Sequence, residues 1–413
     1  MLATKRIATT SDMTENPHSL VGNFLSGLNQ VLGKSGTGIP LHEPEFAGNE
    51  WAYVKECLDT GWVSSVGKYV DEFESRLAEY TGAHHAVAVV NGTAALHVAL
   101  KLAGVQANDE VIVPALSFVA TANAVAHCSA IPHFVDSAPD TLGIDPLALD
   151  SHLARIAELS PNGLRNRETG RRIAAIVPMH VFGHPVALAP LLDLAERYGL
   201  PVIEDAAESL GSFYQGQHTG TFGKMGVLSF NGNKIITTGG GGAILTDDAE
   251  LARHAKHLTT TSKRPHRWEF FHDEVAWNYR LPNLNAALGC AQIECLPGFL
   301  ERKRELAARY QPIFFAMDEM TFVSEPAECR SNYWLNAVQL SHPDMAIRDQ
   351  LLTAANDAGY QCRPAWTLLH TLPMFQACPH APLTVAKQLA VTLINLPSSA
   401  GLVRKKKAES VFN

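Results

Sequence analysis

The sequence predicts an α/β protein: a large domain on an open, mostly parallel sheet, followed by a smaller α+β domain. Three observations carry this reading. Between about residues 86 and 260, short apolar runs alternate with helical patterns. The runs are nearly continuous hydrophobes, as strands covered on both faces are, and helices between them imply parallel crossovers. After Pro297 the alternation ends and mixed helix and strand patterns follow. The chain's 413 residues, 46% of them hydrophobic, suffice for two or three cores.

The first nineteen residues are polar and patternless and are expected to be unstructured. Val21, Phe24, Leu25, Leu28, Val31 and Leu32 then recur at helical spacing. They predict a short amphipathic helix, broken by Lys34-Ser35-Gly36-Thr37-Gly38. This divides the chain into an N-terminal extension (1–38), a large domain (39–298) and a small C-terminal domain (299–413). Two helical patterns follow, Trp51, Val54, Leu58 and then Val70, Phe73, Leu77, Tyr80. The hydroxyl- and glycine-rich loop 60–67 separates them. The predicted strands are 86–90, 111–113, 131–135, 173–177, 202–203, 227–230 and 243–245. The polar stretch 160–172 reads as a surface excursion. Beyond Pro297 the pattern predicts helix 299–310, strand 333–340, helix 345–357, strand 360–363 and helix 384–394.

Composition excludes several classes. The net charge is −8, and no concentrated basic face suggests nucleic acid. The one basic cluster, Arg404, Lys405, Lys406 and Lys407, reads as a solvated tail. Seven scattered cysteines without a CxxC pair suggest reduced, buried thiols rather than zinc ligands or disulfides. There is no secretory signal pattern and no apolar run of the ~18 residues that crosses a bilayer. A soluble, cytoplasmic protein without a membrane partner is expected.

Ligands of open α/β sheets gather at the C-terminal ends of strands. After the first strand comes Asn91-Gly92-Thr93, where a glycine and a helix N-terminus suit a phosphate. A plain helix cap is the alternative. After the second comes Phe118, either a stacking partner for a flat heterocycle or a core residue. A later strand ends in Glu204-Asp205-Ala206-Ala207-Glu208. A carboxylate bordering an apolar strand needs a partner such as a cationic ring nitrogen, unless it is simply solvated. A metal is the rival partner, but no histidine lies nearby in sequence. Then come Ser229 and Lys234. The lysine sits among small and apolar residues before Gly239-Gly240-Gly241-Gly242, with a surface lysine as the alternative. Four glycines imply a close backbone or ligand approach, yet match no dinucleotide fingerprint, since Ile244 stands where the last glycine belongs. Taken in order, the parts are those that pyridoxal 5′-phosphate (PLP) requires: a phosphate loop, a stacking ring, a strand-end acid and a lysine.

With these motifs the sequence resembles the DegT/DnrJ/EryC1/StrS family of fold-type I, PLP-dependent sugar aminotransferases. The match covers nearly all of the chain after about residue 39. It is carried by residues 91–97, 204–208, Ser229-Phe230, Lys234, 237–239, Asn278-Tyr279-Arg280 and 285–289. Segments 39–44, 60–65 and 363–370 look most like the LegC-type branch, linked to nonulosonic acid pathways. Gly241 departs from the family, where glutamate is common. The resemblance implies an aspartate aminotransferase-like fold and a set of roles. Lys234 would be the Schiff-base lysine and proton carrier, and Asp205 the partner of the ring nitrogen. Phe118 would stack on the ring, and Glu208 would lie near its hydroxyl. Gly92, Thr93 and Ser229 would hold the phosphate. Asn278 would reach the phosphate of a neighbouring subunit, which implies at least a homodimer. Among substrate contacts, Arg280 would meet an anion, His180 would lie near the cofactor, and His370 would enter the sugar pocket. Trp62 and Ser65 would meet substrate from a mobile loop. A structural role is the alternative for His370.

The implied reaction moves an amino group from L-glutamate to a nucleotide-linked 4-keto-6-deoxy sugar. Lys234 would act first as anchor and then as general acid–base. A PLP-dependent sugar dehydratase is the nearest competitor, but such relatives carry histidine in place of the lysine. A non-catalytic PLP-fold regulator would need an added DNA-binding domain, and the missing fingerprint disfavours a nicotinamide oxidoreductase.

Overall fold

The computed structural model describes residues 17–33, 38–161 and 163–403. The basic cluster 404–407, residues 34–37 of the expected break and the first sixteen residues lie outside them. The chain opens with α1 (Pro17–Leu32), which starts inside the stretch expected to be unstructured. Phe24 and Leu28, on its apolar stripe, are fully buried and contribute roughly 1.5–3 kcal/mol each. Next come α2 (Glu50–Thr60) and α3 (Lys68–Thr81). On α3 the spacing was read correctly: Val70, Phe73 and Leu77 are buried. On α2 it was not. Trp51 is 82% exposed and Leu58 61% exposed, so the apolar face points away from this chain's core.

The main sheet then builds in βα steps. Its parts are β1 (His85–Val89), α4 (Gly92–Leu102), β2 (Glu110–Pro114), α5 (Val119–His127), β3 (Ile131–Val135) and α6 (Pro146–Ile156). The polar excursion is a hairpin, β4 (Ala157–Ser160) and β5 (Gly163–Asn166). After it come β6 (Ile173–Ile176), α7 (Leu188–Tyr198) and β7 (Ile203–Asp205). Then follow the short β8 (Phe213–Tyr214) and β9 (Gln217–His218), β10 (Met225–Ser229), β11 (Gly242–Thr246) and α8 (Ala249–Thr259).

Ladders and single bridges give the order β3-β2-β6-β7-β10-β11-β1. All neighbours run parallel except at β11, which is antiparallel to both β10 and β1. Six strands therefore deliver their C-terminal ends to one edge, and β11 starts there. This explains the glycine run. A Cβ on Gly242 would lie 2.6 Å from the Asn91 carbonyl carbon, and one on Gly241 2.2 Å from Thr238 Oγ1. Gly242 lets backbone meet backbone, and Gly241 leaves room for the Thr238 side chain.

The 33-residue α9 (Asn283–Phe315) follows and runs through Pro297 without a break. The expected division at 298/299 therefore falls inside one helix. The first half of α9 packs with Phe73 and Leu77; its second half packs with Phe24 and Leu28 of α1. The remainder is β12 (Met320–Phe322), β13 (Cys329–Arg330), β14 (Asn336–Leu340), α10 (Met345–Asp357), β15 (Arg363–Pro364), α11 (Thr384–Thr392) and β16 (Leu393–Leu396). Strands β12-β14-β16-β15 form an antiparallel sheet, while β13 pairs with β8 beside the main sheet.

Candidate active site

One cavity of ≈ 330 Å³ opens at the carboxyl edge of the main sheet. Gly92, Thr93, Phe118, Asp205, Glu208, Ser229 and Lys234 all line it. Four separate strand ends supply them, which is how a parallel sheet converts sequence order into a site.

Asn91 caps α4 by accepting the Ala94 N–H at 2.8 Å, leaving the amides at the start of the helix free for an anion. A Cβ on Gly92 would stand 3.0 Å from Ser229 Cβ and 3.3 Å from its hydroxyl. Glycine therefore keeps open a gap between the helix end and Ser229, the right place for a phosphate. Phe118 precedes α5 and is 49% exposed on the cavity. A large ring left uncovered there fits a stacking role better than a core one.

Asp205 is 3% exposed. Its Oδ2 accepts the Thr121 hydroxyl at 2.8 Å and its Oδ1 the Ala207 N–H at 3.3 Å. Burial raises its pKa, and these two bonds do not offset the shift. A cationic ring nitrogen would supply the missing partner. Burial likewise pushes Glu208 up to about 7, against the opposing pull of Lys234 and the Phe182 N–H. The Lys234 amine lies 3.2 Å from Glu208 Oε1, and among the described residues Lys234 is the one Lys or Arg lining the cavity. The residues thus fit PLP: an anion cradle, a ring platform, an unfinished carboxylate and an amine.

Six expected contacts lie elsewhere in this chain. His180 is fully buried; its Nδ1 accepts the Val186 N–H, so Nε2 carries the hydrogen toward Glu204 at 3.2 Å. It is a structural histidine below the site, not a substrate contact. Arg280 is buried against Glu74 and the Ala88 carbonyl, with Asp71 nearby. Two carboxylates already occupy the guanidinium, so the expected anion contact is not made. His370 packs against the His380 ring at 5.4 Å and lies off the cavity. Trp62 and Ser65 also lie off it, in a loop that Asn283 pins through the Trp62 and Ser64 carbonyls at 2.7 Å each. Asn278 is exposed and does not line this chain's cavity.

The cavity also has walls that strand-end reasoning missed. Trp334 and Trp366 come from the C-terminal part, and Met179 follows β6. Trp366 leans on Phe182, with ring centroids 5.1 Å apart. Neither ends a strand of the main sheet; Trp366 falls in the segment 363–370 that carries the resemblance, but nothing there marks it as a cavity wall.

Fold and site together define a fold-type I, PLP-dependent nucleotide-sugar aminotransferase. The sequence model of the DegT/DnrJ/EryC1/StrS aminotransferase family matches residues 44–413, and the chain belongs to that family. GDP-perosamine synthase of Caulobacter vibrioides is 37% identical over 365 residues, which span 88% of this chain and 94% of that protein. The spore coat polysaccharide biosynthesis protein SpsC of Bacillus subtilis is 32% identical over 77% of this chain and 80% of its own length. Among solved structures, Helicobacter pylori PseC, an aminotransferase of pseudaminic acid biosynthesis, superposes with a TM-score of 0.80 at 25% identity. The superposition covers 88% of this chain and 94% of that one. No described helix is long and apolar enough to cross a membrane.

Proposed function

We propose that the protein transfers an amino group from L-glutamate to the C4 ketone of a nucleotide-linked 4-keto-6-deoxy sugar. One observation carries the reading: Lys234, Asp205 and the Gly92–Ser229 cradle meet at a single cavity. When bound, PLP carries the amino group between donor and acceptor and delocalises charge at the carbon that loses its proton. Asp205 holds the ring nitrogen and keeps it protonated. Gly92, Thr93 and Ser229 seat the phosphate, and Phe118 covers the ring. Lys234 anchors the cofactor. Once released, its amine takes the α-proton of the donor and returns a proton to the cofactor carbon. Trp334, Trp366 and Met179 narrow the opening and limit water.

A UDP-linked, N-acetylated sugar for nonulosonic acid or surface polysaccharide synthesis is the first reading, on the LegC-type segments. A GDP-linked sugar is the second, on the name of the Caulobacter relative. Purified protein incubated with PLP, glutamate and a panel of UDP- and GDP-linked 4-keto sugars decides between them. If no amino sugar forms from any of them, the reading fails.

The working unit is proposed to be a homodimer with shared sites. Trp51, Trp62, Val66, Phe270 and Val275 are 82%, 57%, 68%, 78% and 91% exposed, large apolar side chains that a second copy would cover. Asn278, three positions beyond Val275, would reach the second copy's phosphate. Light scattering showing a monomer at working concentration would refute this.

A further inference from the structure

Around Lys234 the chain builds more than an anchor needs. The amine stands 4.0 Å from the centroid of the Trp334 ring and 3.2 Å from Glu208 Oε1. A cation over an indole face beside a carboxylate is a binding site for an ammonium group. Both partners are held rigidly. The Trp334 indole N–H donates to the Asn233 carbonyl at 2.7 Å, and its backbone N–H donates to Asn332 Oδ1 at 2.7 Å. Glu208 Oε2 accepts the Phe182 N–H at 3.0 Å. Asn332 Nδ2 donates to the Glu208 carbonyl at 2.8 Å, so one buried side chain sets the Glu208 and Trp334 backbones together.

The backbone is strained at the same two places. Phe182, whose N–H aims at Glu208, has φ 57° and ψ 14°. Tyr333, directly before Trp334, has φ 47°. Neither is glycine, and such conformations persist where the surroundings over-determine them, often at functional sites. Gly183 admits the hub: a Cβ there would fall 1.9 Å from Asn332 Oδ1.

We propose that Glu208 and Trp334 form a docking cradle for the Lys234 amine during the intervals when it is not bonded to the cofactor. This rests on the reading of Lys234 as the cofactor lysine. The cradle keeps the released amine inside the cavity, next to the carbon it must serve, and prevents it from swinging into solvent. The amine must leave the cradle to reach an aldehyde, so its capture depends on how tightly the cradle grips. The strained backbone and the Asn332 hub preset that grip.

The test uses cofactor-free protein and pyridoxal, which lacks the phosphate. Capture is followed by borohydride reduction, and the Lys234 peptide is quantified by mass spectrometry at pH 7. Loss of the carboxylate in Glu208→Gln loosens the hold on the amine and raises the capture rate about tenfold. Trp334→Leu raises it about threefold, and Trp334→Phe, which keeps a ring face, falls between wild type and the leucine variant. Rates at or below wild type in both Glu208→Gln and Trp334→Leu, with unchanged near-UV circular dichroism, overturn the cradle. A rise in Trp334→Leu that Trp334→Phe shares in full also overturns it, assigning the effect to packing. The reading of Lys234 fails separately: the wild-type Lys234 peptide would carry no label.

Discussion

Glu204 and Asp205 are neighbours on β7, both buried, and they are equipped in opposite ways. Glu204 accepts four hydrogen bonds: from Phe222 and Gly223 N–H at 2.7 and 2.8 Å, Gly220 N–H at 2.8 Å, and His180 at 3.2 Å. Burial pushes its pKa up, but the bonds from His180 and the glycine amides outweigh that and hold it below its ordinary value. Asp205 accepts two bonds, one of them long, and its pKa is raised. Successive strand residues face opposite sides. One side of β7 tightens the loop 220–223 onto the sheet; the other opens on the cavity. A buried carboxylate whose bonds are complete is structural, and one left incomplete awaits a ligand.

The sharpest tests of this contrast are single substitutions at Lys234, Asp205 and Glu204. Lys234→Ala should give the largest loss, with kcat down at least about a thousandfold and no cofactor retained after borohydride treatment. Asp205→Asn should lower kcat about a hundredfold through loss of the charge opposite the ring, while the melting temperature holds or rises. Glu204→Gln should do the reverse. It strands donors that now share one carboxylate, costs about 2–4 kcal/mol of stability, and leaves kcat in the folded fraction near wild type. Equal stability losses in the two variants would break the comparison.

A pH series sharpens it further. In cofactor-free protein Glu208 is raised to about 7, so the folded state binds more protons than the unfolded one between the ordinary carboxylate range and 7. Its contribution to stability is present below that range and is lost as pH rises through 7. Lys303 behaves oppositely. Burial lowers it from 10.5 to about 7, with only the Trp334 and Ser398 carbonyls as acceptors in place of a carboxylate. The unfolded state binds more protons between 7 and 10.5, so stability climbs with pH across that window. His97, His152, His184 and His218, lowered by burial to about 4, also add stability as pH rises toward 6.5, so each contribution is read as the difference in melting temperature between wild type and variant. For Glu208→Gln that difference should change with pH below 7, and for Lys303→Met above 7. The smallest effect belongs to Asn278→Ala. One lost phosphate contact, about 1 kcal/mol, should weaken PLP binding about fivefold without altering secondary structure.

Much of the sheet was legible because its strands are buried on both faces and read as continuous apolar runs; 131–135 matches β3 residue for residue. The site inventory was legible for a related reason. Parallel strands carry the residue after each strand to one edge, so Gly92, Phe118, Asp205 and Lys234 could be assembled from order alone. Errors fell where a local pattern does not reveal its partner. Trp51 and Leu58 keep helical spacing but face outward, since spacing identifies a face and not what covers it. Arg280 looked available until Glu74, 206 positions away, proved to hold it. His180 stands beside the site in sequence, yet points beneath it.

By itself, then, the sequence determined most of the strands, the residues that gather at their ends and the cofactor class, because these depend on short-range periodicity and on the fixed direction of parallel strands. Tertiary structure alone decided that Trp334 and Trp366 wall the cavity and that α9 crosses from one core to the other. It alone decided that Glu204 is finished while Asp205 is not. Those outcomes turn on contacts between residues far apart in the chain, and side-chain burial and hydrogen-bond completion exist only once such contacts have formed.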